Sequence, residues 1–477
     1  MKPPQLCARI RRFVPGLAAW LSLASFAGAA PRPNIVIILA DDLGYGDLAC
    51  YGHPKFKTPH LDRMAAEGAR LTRFNTPMPF CAPTRASLLT GRYPFRCGLP
   101  NNPSPDTSPA NDKLGLPLGE ITLAQVLKSA GYATSCIGKW HLGHQPEFLP
   151  TRRGFDEYFG IPYSNDMRPV RIMADEKTVE EPAVQATLTR RYTERALAFI
   201  ERSRDQPFFL YLPQAMPHKP LAASEAFYKK SGAGLYGDAL AELDWSVGEI
   251  LAKIKALGLD EKTLVFFTSD NGPWYGGSTG GLRGMKSNSF EGGYRVPLLA
   301  RWPGKIPAGH VSHAPGITMD LFATVLKAAD IALPADREID GKDIMPLLVS
   351  GAPSPHEVLF GMMGPRLANV RSGKWKLHVI APNKGRTMSR DEKYVDPRGP
   401  DGKTILAPVE QYHPADYPGV LTGDEPQAMM LFDLETDPAE QRNVAMSNPE
   451  VVKKLTDQID AMERQRPAVG QRNPRTR

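Results

Sequence analysis

The sequence predicts an α/β fold: a large, mostly parallel or mixed sheet sandwiched by helices, with a smaller carboxyl-terminal α+β unit. Three observations carry this expectation. Apolar, β-branched runs recur and end in polar clusters, which is the form of buried parallel strands. Helical patterns that close on glycine lie between those runs. The chain has 477 residues, 42% of them apolar, enough to bury a large core with a smaller unit appended and too many for a small disulfide scaffold.

Residues 1–30 run from a basic start (Lys2, Arg9, Arg11, Arg12) through FVPGLAAWLSLASF to the small-residue ending AGAA. This is the form of a cleaved export signal, which implies a secreted or periplasmic protein. The apolar stretch is shorter than the roughly 20 residues that a membrane span needs, so no stable span is expected. Arg11 and Arg12 before Phe13 leave a twin-arginine route open beside the general one.

The first strand is PNIVIILADDLGYGD, an apolar run closing on two acids and a glycine turn. ITLAQVLKSAGY then reads as a helix closing on Gly131, and PFFLYLPQAMPH (207–218) as a second strand. A long helix, GDALAELDWSVGEILAKIKALG, closes on Gly258 and leads into the strand TLVFFTSDNGP (263–273). RVPLLARWPG (295–304) is a fourth strand, and ITMDLFATVLKAAD a further helix. Residues 31–350 are expected to form the main domain and 351–465 the smaller subdomain. Within the latter, the Gly/Pro/charge-rich stretch 381–427 is too long for an ordinary connection. A strand in MLFDLETDP and a helix in PEVVKKLTDQIDAMERQ close the unit, and 466–477 form a basic tail.

The formal charge is +7, but residues 1–30 carry four bases and no acids, which leaves +3 for the remainder. Such a balance carries no nucleic-acid or membrane footprint, so any attraction for anions must be local to a site. Of five cysteines, Cys7 leaves with the signal. Cys50, Cys81, Cys97 and Cys136 have no spacing that suggests a disulfide framework or a zinc site.

Open α/β sheets bind ligands beyond the carboxyl ends of their strands, and polar clusters fall at those ends here. Asp41 and Asp42, with Asp270 and Asn271, offer three carboxylates and an amide. Oxygen donors of this kind suit a hard cation, Ca²⁺ or Mg²⁺; taken singly, acids at strand ends also serve to cap turns. FCAPTRASLLTGR (80–92) puts Cys81 in the first turn of a helix, followed by Pro83, Thr84 and Arg85. By themselves these residues leave Cys81 open as core filler, half a disulfide, a metal ligand, a nucleophile or a site of modification.

CAPTR followed by LLTGR resembles the CxPxR signature of the formylglycine-dependent sulfatases of the alkaline phosphatase superfamily. The other blocks of that family follow in order: ILADDLGYGD, GKWHLG, PHKP, FTSDNGP and GMKSNSFEGGYRVP. The resemblance runs from about residue 33 to at least 345. It is strongest toward the arylsulfatase A and galactosamine-6-sulfatase branch, through LGLPLGEITLAQVLKSAGYATSCIGKWHLG and RRGFDEYFGIPYSND. Thr84 departs from the commoner serine at its position.

The resemblance implies that Cys81 is converted to formylglycine (3-oxoalanine) by a formylglycine-generating or anaerobic maturation enzyme. One hydroxyl of the aldehyde hydrate attacks sulfur and expels the alcohol, and the second collapses to the aldehyde and ejects sulfate. A plain serine would stop at a stable sulfate ester. Asp41, Asp42, Asp270, Asn271 and residue 81 are expected to hold Ca²⁺, with Mg²⁺ possible. Arg85, four residues along the same helix face, would hold the hydrate oxygens. Lys139 and His141, alternating about Trp140 on an extended segment, would bridge hydrate to sulfate and take the proton that drives sulfate elimination. His218 and Lys286 would serve the leaving-group side, and Ser164 would contact sulfate. The glycines at 276–284 do not form a phosphate loop, because Met285 separates Gly284 from Lys286. His53, His60, His144, His310, His313, His356, His378 and His413 match no catalytic position.

The expected activity is therefore hydrolysis of sulfate monoesters, with a sulfated carbohydrate such as a galactose or N-acetylgalactosamine sulfate as the ester. Two alternatives stand beside it: a phosphate or phosphonate ester hydrolase of the same superfamily, and an inactive polyanion-binding relative. Loops 94–118, 164–190 and 381–427 are the expected seat of specificity.

Overall fold

A computed structural model describes residues 1, 32–274, 276–383, 395–396, 404–405 and 422–466. All but Met1 of the expected export signal, His413, most of the 381–427 stretch and all but Arg466 of the expected basic tail lie outside the described residues. Among the described residues, no helix is long and apolar enough to cross a membrane.

The large sheet has 11 strands. They are β1 (Asn34–Ala40), β2 (Ala69–Asn75), β3 (Ala133–Ile137), β4 (Glu157–Gly160), β5 (Ile172–Ala174), β6 (Lys177–Glu180), β7 (Phe208–Pro213), β8 (Thr263–Ser269), β9 (Arg295–Arg301), β10 (His310–Ser312) and β11 (Gly316–Ile317). The order is β10-β2-β9-β8-β1-β7-β3-β4-β5-β6, with β11 also on β2. The central strands β8, β1, β7, β3 and β4 are mutually parallel.

Strand β1 shows why its residues form a central strand. Val36, Ile38 and Ala40 enter one apolar cluster while Ile35, Ile37 and Leu39 enter another. A period of two with both faces buried reads in sequence as one continuous apolar run. On the first face, helix Leu188–Arg202 packs Tyr192, Ala196, Phe199 and Ile200, spaced for one helical stripe, and helix Gly234–Ala256 packs Leu240, Leu243, Val247 and Ile250. On the second lie Cys81–Thr90, Asp320–Ala328 and Leu123–Ser129. The last of these starts from a capping box between Thr122 and Gln125. The layered α/β expectation and the four named strands are met.

One strand differs from the simplest parallel reading. β9, from RVPLLARWPG, runs antiparallel to both β8 and β2. Among its described residues, the segment between β8 and β9 contains a single helical turn, Glu291–Tyr294. A parallel return needs a crossover, so the chain re-enters the sheet from the edge at which it left.

A second, four-stranded antiparallel sheet contains β12 (Leu359–Met363), β13 (Arg366–Ser372), β14 (Trp375–His378) and the strand Met430–Asp433. Helix Pro449–Glu463 packs Leu455, Ile459 and Met462 onto it. From the long stretch between its last two strands, the short antiparallel pair Val395–Asp396 and Thr404–Ile405 is described. A buried ionic cluster joins this sheet to the segment before β9: Lys376 Nζ lies 3.0 Å from Glu291 and 3.1 Å from Glu440, and Glu440 also receives His378 at 2.6 Å.

Candidate active site

The topology brings the polar strand ends together. Because β8, β1, β7, β3 and β4 are parallel neighbours, the residues after Ser269, Ala40, Pro213, Ile137 and Gly160 emerge on one edge of the sheet. These are Asp270 and Asn271, Asp41 and Asp42, His218, Lys139 and His141, and Ser164. β2 points the same way and delivers Cys81, while the antiparallel β9 receives its chain from the loop bearing Lys286. All eleven sequence-predicted site residues therefore sit at the carboxyl edge of the parallel strands, where such sheets bind ligands.

Cys81 opens the helix Cys81–Thr90, all of whose residues are buried. Phe80 enters extended and gives no side-chain cap. Instead Asn102 Oδ1 accepts the amide of Ala82 at 3.0 Å, and Pro83 needs no partner because it has no N–H in a first turn. The helix ends on Gly91 at φ 70°, a conformation that favours glycine. Its amino terminus presents partial positive charge around Cys81.

Cys81 Sγ lies 3.5 Å from Asp41 Oδ1, 3.9 Å from Asp42 Oδ1 and 3.4 Å from Lys286 Nζ. Lys286 Nζ sits 2.7 Å from Asp42 Oδ1, and Lys139 Nζ reaches Asp41 Oδ2 at 2.5 Å and Ser164 Oγ at 3.0 Å. Arg85 donates through Nε and Nη2 to Asp270 Oδ2 at 2.9 and 2.8 Å, and through Nη1 to the carbonyl of Lys139 at 2.6 Å. The carboxylates of Asp41, Asp42 and Asp270 thus face an equal number of cationic side chains. Asn271 Nδ2 donates to Asp42 Oδ1 at 2.7 Å, while its buried Oδ1 has no partner.

Burial dominates the electrostatics. It lifts Asp41 to about 7 against the pull of Lys139 and raises Asp42 against Lys286. It would raise Asp270 as well, but Arg85, then Lys139 and Lys286, hold that carboxyl below its ordinary value. Burial would lower Lys286; Asp42, with Cys81 and Asp41, more than reverses this. The Cys81 thiol is pushed well up by burial, with the lysines only partly offsetting it, so this cysteine is not a ready thiolate.

The two histidines have assigned tautomers. His141 Nε2 lies 3.1 Å from the carbonyl of Pro103; a carbonyl only accepts, so Nε2 carries the proton and Nδ1, buried without a partner, is a free lone pair. Burial, then Lys139 and Arg85, depress its pKa far below the usual range and keep the ring neutral. His218 Nδ1 is 2.5 Å from the carbonyl of Lys219, which leaves Nε2 as an acceptor facing Asp42 Oδ2 at 3.6 Å. Two acceptors so placed fit a proton or a cation between them.

The ligand atoms of Asp41, Asp42, Cys81 and His218 lie within 4.8 Å of one another, the one such cluster among the described residues. It contains a single histidine, unlike a two-zinc phosphatase centre. His218, expected on the leaving-group side, lies beside the acids in this group, and Asp270 stands next to it, held by Arg85. Arg85, for which hydrate oxygens were the expected partner, holds the Asp270 carboxylate. Lys139 and His141 do converge, but not on an extended strand: Gly138 has φ 133° and His141 φ 62°. A Cβ at Gly138 would strike the carbonyl of Pro213. Trp140 turns the other way into the core. The four cysteines at 50, 81, 97 and 136 are all free thiols.

Sequence reasoning missed Asp47. This buried carboxylate accepts Gly44 N, Tyr236 Oη and Ser278 N, each at 2.6 Å. It thereby ties the loop after β1 to the loop that leads to Lys286. The only signal in sequence was its place at the end of DDLGYGD, where an acid reads as an ordinary turn residue.

The family model described as Sulfatase matches residues 33–331. The chain is 44% identical over 379 residues to N-acetylgalactosamine-6-sulfatase of Canis lupus familiaris, covering 74% of this chain and 72% of that one. It is 38% identical over 481 residues to arylsulfatase A of Homo sapiens, covering 91% and 88%. Among solved structures, the PsFucS1 sulfatase from Pseudoalteromonas sp. superposes with a TM-score of 0.74 at 26% identity, covering 91% of this chain and 90% of that one. Matched over more than half its length and bearing its blocks in order around one buried centre, this chain belongs to the sulfatase family.

Proposed function

We propose that this sulfatase cleaves sulfate monoesters of sugars through formylglycine at position 81 and a bound hard divalent cation. The observation that carries the reading is the convergence on Cys81 Sγ of Asp41 at 3.5 Å and Lys286 at 3.4 Å, at a helix amino terminus. A thiol raised by burial is a poor nucleophile, whereas the same position suits an oxidised side chain made by a maturation enzyme. Hydrated formylglycine supplies one hydroxyl to attack sulfur and a second whose deprotonation expels sulfate.

The donor set fits Ca²⁺ or Mg²⁺. Asp41, Asp42 and Asp270 supply hard oxygens, and Asn271 adds a buried Oδ1 without a partner. The cation supplies charge neutralisation and activation of the attacking oxygen. The chain's own residues do the rest. Arg85 fixes Asp270, Lys139 and Lys286 face the anionic oxygens of the ester, and Ser164 orients Lys139. His141 Nδ1, a neutral lone pair, accepts the proton released when sulfate leaves. His218 Nε2 with Lys286 serves the departing sugar oxygen.

Residues 1–30 support export, with maturation of Cys81 before or during it. The deciding experiment pairs mass spectrometry of the peptide carrying Cys81 with turnover of nitrocatechol sulfate against nitrophenyl phosphate. Conversion of the cysteine to formylglycine with sulfate preferred is the expected result. An unmodified thiol in fully active protein, or a preference for phosphate, overturns it.

A further inference from the structure

A cavity of about 460 Å³ lies beside the site, its wall including Pro105, Asp112, His144, Tyr163, Arg171 and Thr178. Its volume is that of a small-molecule pocket, roughly 300–1,000 Å³. Three of its wall segments also carry site contacts. Pro103, two residues before Pro105, holds His141. His144 follows His141 by three residues, and Tyr163 immediately precedes Ser164. A chain advances at most about 3.6 Å per residue, so wall and site are no more than about 11 Å apart along these segments. Two linked sugar rings span such a distance. Arg168 N donates to Asp106 Oδ2 at 2.9 Å and ties two of the segments together.

The lining has the chemistry of a sugar subsite with one unmatched positive charge. Asp112 receives His144 Nε2 at 2.8 Å and Gln145 Nε2 at 3.2 Å, and Glu176 is engaged by Arg152 at 2.6 Å. No described carboxylate pairs with Arg171. Its guanidinium stacks 5.7 Å above the Tyr163 ring, and its buried Nε has no partner. His144 is 7% exposed, and its buried Nδ1 is likewise without a partner. Hydroxyls match His144 and Asp112, and a carboxylate or sulfate matches the guanidinium fork that Tyr163 holds in place. A neutral neighbour would leave that fork unpaired.

We infer that this cavity binds the sugar linked to the sulfated one and that Arg171 takes an anionic substituent of that neighbour. The inference rests on the sulfated-sugar reading above. The test compares kcat/KM for 6-sulfated N-acetylgalactosamine linked to glucuronate with its glucose-linked counterpart. Roughly tenfold or greater preference for the glucuronate compound is expected, as one charge-assisted hydrogen bond provides, and Arg171→Ala should erase the preference. Because the readout is a ratio, general loss of folded protein cancels. Thr178→Tyr, which fills the cavity from an exposed strand, should reduce the ratio independently. A sulfate in place of the carboxylate reports which anion is favoured, and preference for either over glucose supports the subsite. No preference in the wild type, or a preference that survives both variants, overturns it. Failure of the sulfatase reading shows separately, as no turnover of nitrocatechol sulfate. In that event, calorimetric titration with the unsulfated glucuronate disaccharide still decides the subsite: weaker binding by Arg171→Ala supports it, and equal binding overturns it.

Discussion

Arg85 grips Asp270 Oδ2 through Nε at 2.9 Å and Nη2 at 2.8 Å, with both side chains fully buried. The pair links the helix that carries Cys81 to the end of β8, so it fixes the nucleophile position against the acidic cluster. Removing one partner leaves a buried charge uncompensated. Arg85→Ala should therefore cost about 3–5 kcal/mol of stability, read as a shift of the urea unfolding midpoint. Arg85→Lys keeps the charge but not the fork, and should fall between the two. An unchanged midpoint in Arg85→Ala would show that the pair does not hold the helix.

Cys81→Ala should retain the fold and release no sulfate. The side chain is small and sits at a helix start, so the lost packing is modest, whereas the reaction loses its attacking oxygen. Sulfate release from nitrocatechol sulfate and a thermal unfolding curve check both parts. Turnover by this variant would remove position 81 as the nucleophile.

Chelation should abolish activity, and readdition of Ca²⁺ or Mg²⁺ should restore it. Added cation should also raise the thermal midpoint of the chelated protein in a concentration-dependent way, since a ligand bound only by the native state stabilises it by mass action. Asp270→Ala should abolish the rise. A midpoint indifferent to cation in the wild type would argue against the oxygen cluster as a metal site.

His53 gives a pH dependence away from the reaction centre. Its Nδ1 accepts the amides of Lys55 at 3.1 Å and Phe56 at 2.8 Å, and the ring stacks on Phe56 at 3.7 Å. Burial, and then the Lys55 charge, lower its pKa from 6.5 to about 4. Between these values the unfolded chain binds the extra proton, so stability falls as pH falls through that window. His53→Asn keeps an acceptor but cannot titrate. Its unfolding midpoint should decline less than that of the wild type between pH 6.5 and 4; parallel declines would exclude His53 as a contributor.

Much of this molecule was legible in its sequence because the signals are local. Continuous apolar runs mark β1, β7, β8 and β9, and glycines at 131 and 258 mark helix ends. The CAPTR block places a cysteine in the first turn of a helix, and acids after two strands mark the site edge. The direction of β9 was not legible, because it depends on how residues 270–294 return rather than on the strand itself. The backbone turn at Gly138 and His141 was hidden for a similar reason: it is imposed by Pro213 of a neighbouring strand.

By itself the sequence determined which segments are strands and helices and which side chains stand at their ends, since periodicity and turn chemistry act over a few residues. Only the tertiary structure decided which of those side chains meet. Asp47 clamps two loops, Arg85 is committed to Asp270, His218 joins the acidic cluster, and Lys376 is buried between Glu291 and Glu440. Each of these depends on burial and on charge pairing between segments tens to hundreds of residues apart, and such pairings exist only once the sheet has set its strand order.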